Sequence, residues 1–139
     1  MENKQIPPHQ LTPHFHISEF ACKDGNAVPA HLLSNVRALA VNLEVIRAYF
    51  GVPVIINSGY RSIEYNRKVG GAVGSQHLLA NASDIVIKGV SPFFLFKTIR
   101  ELMKSGKIEA GAVILYNTFV HYDRRGTMLF LDYRNRSKS

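Results

Sequence analysis

One apolar stripe between Pro29 and Gly51 constrains the fold more than any other feature of this sequence. Its side chains recur at alternating spacings of three and four residues, which is the period of one face of an α-helix. They are Leu32, Val36, Leu39, Leu43, Ile46 and Phe50. Gly51 stands where a glycine commonly ends a helix. The stripe predicts a long helix that packs against another layer through one face.

Shorter elements follow this helix. Strands are predicted at residues 54–56, 84–87, 112–116, 119–123 and 128–133, with Arg125-Gly126 as a hairpin turn between the last two. Helical segments are predicted at 62–69, around His77, and from the capping pair Ser91-Pro92 to about residue 104. This order predicts an α+β fold, with helices packed on a mostly antiparallel central sheet.

Length and composition indicate a single domain. The 139 residues predict an extended N-terminal leader at 1–13, one domain at 14–133 and a basic tail at 134–139. No apolar run approaches the roughly 20 residues of a membrane span. The first residues lack the hydrophobic region of a secretory signal, so we expect synthesis in the cytoplasm without a signal peptide.

The net charge of +7 favours polyanionic partners, among them nucleic acid and cell-wall polymers. The basic residues are not interleaved with aromatic ones as in nucleic-acid-binding motifs, so a nucleic-acid partner is not expected. DNA binding therefore stays the weaker alternative, and it would depend steeply on salt.

Two separated segments carry side chains that suit a metal ion. His77 and Asp84 span a predicted helical turn and the start of a strand, and His121 lies in a later strand. Two imidazoles and a carboxylate suit a tetrahedral zinc ion whose fourth position is left to water. Such a site is usually catalytic, because zinc acidifies water and polarises a carbonyl. The alternative interpretation of the later segment is the polar face of an edge strand.

Two further side chains could act beside such a metal. Asp123 shares a strand face with His121, because residues two apart in a strand point the same way. It could contact a metal-bound water or orient a ligand. Arg61 follows a predicted strand directly and could bind a carboxylate or a developing oxyanion. The alternative for Arg61 is a solvent-exposed loop arginine.

Taken together, these segments resemble the zinc D-Ala-D-Ala carboxypeptidase family of bacteria and phages, which shares its fold with the hedgehog domain and the VanX-related dipeptidases. The family's Ser-x-His-x-x-x-x-x-x-Asp element is matched by Ser75, His77 and Asp84, and its later histidine by His121. Residues 16–20, 57–62 and 69–71 also resemble the family. The resemblance covers roughly residues 14–131.

The resemblance implies a zinc peptidase that cuts peptidoglycan stem peptides, with the bacterial cell wall as its site of action. A phage or prophage lytic enzyme (an endolysin) would fit. His77, Asp84 and His121 would bind zinc. Arg61 would stabilise the scissile carbonyl as it becomes an oxyanion, and Ser75 would help to hold the substrate.

Two positions depart from the family pattern. Many members carry a catalytic Glu or Asp three residues before the last histidine, where this chain has Thr118. Asp123 is therefore the predicted general base, with orientation of a metal ligand as its rival role and Glu64 as a more distant candidate. The family's glycine within the first motif is Ala80, for which we expect packing consequences only. The alternative function is a non-catalytic zinc-binding domain of the same fold.

Overall fold

The computed structural model describes residues 9–135. Residues 1–8 of the predicted leader (1–13) and residues 136–139 of the predicted basic tail (134–139) lie outside the described residues. The helices are α1 (Leu33–Phe50), α2 (Ile63–Lys68) and α3 (Pro92–Lys104). The strands are β1 (Gln10–Thr12), β2 (Phe15–His16), β3 (Val54–Ser58), β4 (Ala82–Ile87), β5 (Ala112–Leu115), β6 (Val120–Asp123) and β7 (Leu129–Asp132). Short 3-10 helices cover Ile17–Phe20, Ala30–Leu32 and Gln76–Leu79.

Five strands form the central sheet, in the order β3-β4-β6-β5-β7. All neighbours are antiparallel except β5 and β7, which are parallel. Strands β1 and β2 form a separate small hairpin. The predicted fold class, α+β with a mostly antiparallel sheet, is confirmed. Between residues 9 and 135, none of the helices has the length and apolarity to span a bilayer.

The predicted long helix is confirmed as α1, preceded by a single 3-10 turn. Val36, Leu39, Leu43 and Ile46 are completely buried, so the apolar stripe faces the core as its spacing predicts. Burial of each such side chain stabilises the fold by about 1.5–3 kcal/mol relative to exposure. Gly51 ends the helix in the left-handed region, at φ 73°, which glycine adopts without a steric penalty.

The last two strands are not a hairpin, so the turn predicted at Arg125-Gly126 is wrong. Both edges of β6 are already paired, one with β4 and the other with β5. Residues 124–128 therefore carry the chain past the start of β5, and β7 pairs in parallel with the far edge of β5. The antiparallel hairpin is instead β5–β6, where the Tyr116 N–H donates to the Phe119 carbonyl at 3.0 Å.

One face of the sheet packs into the main core, and the opposite face carries the predicted polar residues of β6. Because side chains alternate along a strand, Val120 and Tyr122 of β6 enter the main core while His121 and Asp123 point to the opposite face. That face carries a second apolar cluster, formed by Ala112, Ile114 and Tyr116 with Phe119, Leu131 and Tyr133. His121 and Asp123 thus lie beside this second apolar cluster, on the side of the sheet away from α1.

Candidate metal centre

The register of the sheet brings two predicted ligands together. Asp84 on β4 lies directly opposite His121 on β6, and Asp84 Oδ1 is 3.1 Å from His121 Nδ1. Both residues are buried. Neighbouring strands are only about 5 Å apart, so a cross-strand pair can share one ligand or ion. Their pairing depends on the strand register, which the spacing of 37 positions along the chain does not specify.

His77 reaches the same point from the 3-10 turn Gln76–Leu79. Its Nε2 is 3.3 Å from Asp84 Oδ1, and its ring is fully buried. Its Nδ1 is 2.7 Å from the Gly59 carbonyl oxygen, which can only accept, so Nδ1 carries the hydrogen. The lone pair of neutral His77 is therefore on Nε2, the nitrogen that faces Asp84.

Gly59 can supply this carbonyl because it has no side chain. A Cβ at this position would lie 2.8 Å from the Phe20 Cα, closer than two carbon atoms approach. The 3-10 turn that carries Phe20 packs directly on the loop, and the Tyr60 N–H donates to the Phe20 carbonyl at 2.8 Å. The N-terminal segment thereby holds the backbone that orients His77.

The three side chains fit a metal ion. One ligand atom from each of His77, Asp84 and His121 lies within 4.8 Å of the others, and of the described part of the chain only this group meets that condition. His77 Nε2 is buried and makes no hydrogen bond with any described residue. A buried polar atom without a partner costs free energy, and a bound cation would supply that partner. Two nitrogens and one oxygen suit zinc.

Asp123 stands behind His121 rather than beside the ligand atoms. Its Oδ2 is 2.7 Å from His121 Nε2, the ring nitrogen turned away from Asp84. It also accepts hydrogen bonds from Arg125 and from the Ala112 N–H. A carboxylate that binds the second nitrogen of a histidine ligand fixes the orientation of the ring. These contacts favour a role for Asp123 in orienting His121. The role of Asp123 as general base stays a prediction.

Burial and the carboxylates set the protonation of the two histidines. Burial disfavours charge and lowers the pKa of His77. Burial acts the same way on His121, but the hydrogen bonds to Asp123 and Asp84 outweigh it and raise the pKa of His121 to about 9. The carboxylates thus favour the charged form of His121, whereas burial favours the neutral form of His77.

Arg61 lies beside Asp84 and is buried, which excludes the alternative of an exposed loop arginine. Its Nη2 is 3.4 Å from Asp84 Oδ2, and its Nη1 donates to Asn66 Oδ1 at 3.2 Å. The outer oxygen of Asp84 thus faces a cation, while Oδ1 faces both histidines. A Cβ at Gly71 would lie 2.8 Å from Arg61 Nη1, so the glycine leaves room for the guanidinium.

A cleft of about 510 Å³ opens beside His121. Ser75 and Arg125 line this cleft. Its apolar lining residues are Ile114, Tyr116, Leu129, Leu131 and Tyr133. The Ser75 hydroxyl accepts a hydrogen bond from the His77 N–H at 3.1 Å. Ser75 therefore begins the turn that carries His77 and also faces the cleft.

Three other positions from the sequence analysis lie as follows. Thr118 is exposed in the β5–β6 turn, and Glu64 is exposed on α2. Ala80 ends the 3-10 turn in the left-handed region, at φ 54°. The expectation that alanine has packing consequences only is therefore wrong, because this backbone conformation costs a non-glycine residue roughly 1–2 kcal/mol.

A family model described as Peptidase M15 matches residues 13–123. The chain belongs to the Peptidase M15 family. The match includes all three predicted ligands and confirms the resemblance seen in the sequence. M15 peptidases are zinc metallopeptidases, so the metal is zinc and the substrate is a peptide. No curated protein matches the chain significantly.

Sequence reasoning missed Arg125, which it placed only in a turn. The signal was present as an Asp-x-Arg spacing, in which an arginine two residues after an aspartate can fold back onto the carboxylate. In the structure Arg125 does so, and Asp123 in turn contacts His121.

Proposed function

We propose that this M15 peptidase hydrolyses the stem peptides of peptidoglycan, as a D-Ala-D-Ala carboxypeptidase or as an endopeptidase. The observation that carries the proposal is the buried set of His77, Asp84 and His121, in which His77 Nε2 makes no hydrogen bond with any described residue. The set borders a cleft of about 510 Å³, which is large enough for a short peptide.

In this proposal His77, Asp84 and His121 hold the zinc ion. Zinc, when bound, supplies a Lewis acid that polarises a peptide carbonyl and lowers the pKa of a water molecule. The Gly59 carbonyl keeps the ring of His77 in place, and Asp123 does the same for His121. Preorganised ligands hold a metal without rearrangement of their side chains.

Arg61 and Ser75 are the proposed substrate-side groups. Arg61 brings a buried positive charge to the centre, and a fixed cation stabilises an oxyanion that forms nearby. The Ser75 hydroxyl accepts from the His77 N–H, which leaves its own hydrogen for a substrate carbonyl in the cleft.

Asp123 has two candidate roles in this reaction, as the general base or as the group that orients His121. As general base it would take a proton from water, and as an orienting group it would keep its hydrogen bond to His121. The second assignment agrees better with its contacts, since its two oxygens already face His121, Arg125 and the Ala112 N–H. Measuring zinc affinity and turnover separately in an Asp123→Asn variant distinguishes the two.

We place the site of action at the bacterial cell wall, where such peptides occur. The net charge of +7 favours adherence to anionic wall polymers. A lytic role in a phage or prophage belongs to the same proposal.

The test is mass spectrometry of purified muropeptides incubated with the zinc-loaded protein. We expect shortened peptides and a new amine or released D-Ala, and none of these with His77→Ala. The mass of each product also identifies the bond that is cut. Intact muropeptides after incubation with the zinc-loaded wild type would refute the proposal.

The second candidate is a zinc-binding domain without catalytic activity. Thr118, at the position where many members have a carboxylate, favours it, because an exposed threonine supplies no base. This candidate predicts one bound zinc ion per chain together with unchanged muropeptides.

A further inference from the structure

Arg125 forms a two-sided clamp on Asp123. Its Nε lies 3.0 Å from Oδ1 and 3.1 Å from Oδ2, and its Nη2 donates to Oδ2 at 2.7 Å. The Arg125 backbone N–H adds a hydrogen bond to Oδ1 at 3.0 Å. The side chain of Asp123 is fully buried, whereas that of Arg125 is one-third exposed.

The clamped carboxylate is the one that holds a metal ligand. Asp123 Oδ2 accepts from Arg125 Nη2 and from His121 Nε2, in both cases at 2.7 Å. Oδ1 accepts from the Ala112 N–H at 3.0 Å. With donors on both oxygens the carboxylate has one favoured orientation, and that orientation aims Oδ2 at His121.

We propose that Arg125 is a positioning residue of the metal centre, acting on zinc through Asp123 and His121. It holds the carboxylate that fixes the ring of His121, so that Nδ1 faces the ion. The inference rests on the zinc centre of the proposed function, and it does not depend on which peptide is cut.

A guanidinium group is well suited to hold the Asp123 carboxylate in one orientation. Its planar fork donates two parallel hydrogen bonds to one carboxylate, which a lysine ammonium cannot do. Without Arg125, the buried charge of Asp123 would lose its cationic partner, and an incompletely paired buried charge is costly. The carboxylate would then rotate or draw in water, and His121 would lose its fixed orientation.

The chain contains a matched control. Arg134 clamps Asp132 with the same set of bonds: Nε to Oδ1 at 3.0 Å, Nε to Oδ2 at 3.1 Å, Nη2 to Oδ2 at 2.6 Å, and the backbone N–H to Oδ1 at 3.1 Å. This pair is about half exposed and touches no predicted metal ligand. Removal of Arg134 therefore reports the cost of losing such a clamp, together with its contact over the Phe93 ring, at a place remote from the predicted ligands.

The experiment measures zinc affinity by competition with a chromophoric chelator for the wild type, Arg125→Gln, Arg125→Lys and Arg134→Gln. Loss of a group that orients a metal ligand weakens metal binding roughly 10–100-fold. We expect about a tenfold loss for Arg125→Gln, a smaller loss for Arg125→Lys, and no change for Arg134→Gln. The visible spectrum of the cobalt-substituted protein should shift in Arg125→Gln only.

A merely structural role would lower the thermal midpoint of the metal-free protein and leave its zinc affinity unchanged. Wild-type affinity and an unshifted cobalt spectrum in Arg125→Gln would overturn the proposal, as would an equal loss in Arg134→Gln. If Arg125→Gln does not fold, the zinc affinity of Arg125→Lys is measured instead. Wild-type zinc affinity in Arg125→Lys would then overturn the proposal. Failure to cleave muropeptides would count against the proposed function and not against this inference.

Discussion

The two Asp-x-Arg clamps of this protein have nearly identical local geometry and very different surroundings. Asp123 is clamped by Arg125 at the end of β6, and Asp132 by Arg134 at the end of β7, with matching bonds that differ by about 0.1 Å. Asp123 is fully buried, and Asp132 is about half exposed. The same short motif thus lies buried against the candidate metal centre in one place and forms an exposed ion pair in the other.

The position of each strand in the sheet explains the difference. Strand β6 is central, between β4 and β5, whereas β7 is at the edge. Two residues before Asp123 is His121, which faces Asp84 across the strand pair. Two residues before Asp132 is Phe130, which packs against the main core. A local motif acquires a function only when the residues around it provide a partner.

The largest expected difference between the two regions comes from removal of a ligand. His77→Ala and His121→Ala should each reduce bound zinc from one equivalent to none, because two remaining ligands hold zinc weakly. Asp132→Asn should keep one equivalent. Elemental analysis of protein purified and dialysed against zinc measures this stoichiometry. Retention of one equivalent in both histidine variants would show that zinc binds elsewhere.

The next effect concerns the carboxylates of the two clamps. Asp123→Asn should weaken zinc binding roughly 10–100-fold, because it removes the negative charge that orients His121. Asp132→Asn should leave zinc affinity unchanged. Chelator competition measures both.

The same Asp123 variant separates the orienting role from the general base. An orienting role predicts that most of the activity returns when zinc is raised to saturate the site. A general base predicts wild-type zinc affinity and a fall in kcat that zinc does not restore. Steady-state kinetics with a synthetic stem peptide, at several zinc concentrations, gives the answer.

A smaller effect is the stabilisation that zinc confers. Zinc at 100 times its Kd should stabilise the folded wild type by about 2.7 kcal/mol. At the same zinc concentration, a tenfold weaker site in Asp123→Asn should lose about 1.3 kcal/mol of that gain. Asp132→Asn should keep all of it. Urea unfolding with and without zinc measures these differences. An equal loss of zinc-induced stabilisation in both variants would show that the two carboxylates do not differ in their effect on zinc binding.

The smallest effect belongs to the exposed clamp and depends on pH. Hydrogen bonds from Arg134 lower the pKa of Asp132 below its usual value of 3.8. A lowered carboxyl pKa contributes stability above the unfolded value, and that contribution is lost as the pH falls through the folded pKa. Wild type and Arg134→Gln should therefore differ slightly at neutral pH and converge below about pH 4. Urea unfolding over this pH range is the measurement, and added salt should reduce the difference at pH 7.

Much of the fold was accessible from local patterns. The stripe of α1, the cap at Ser91 and the turn around His77 follow from side-chain spacing and capping, which neighbouring residues specify. The hairpin predicted at Arg125-Gly126 was wrong because a turn signal does not reveal which strand edges are free. The role of Ala80 was missed because a backbone dihedral angle depends on the turn that surrounds it.

By itself the sequence determined the α+β class and the family, and it predicted the three residues that the structure brings together as a candidate zinc site, since these rest on residue types in a fixed order. Only the tertiary structure decided that Asp123 stands behind His121 and that Arg125 holds it. The physical reason is that both depend on strand register and burial. Of two identical Asp-x-Arg spacings, one lies buried against His121, whose Nε2 is 2.7 Å from the Asp123 carboxylate, and the other forms an exposed ion pair.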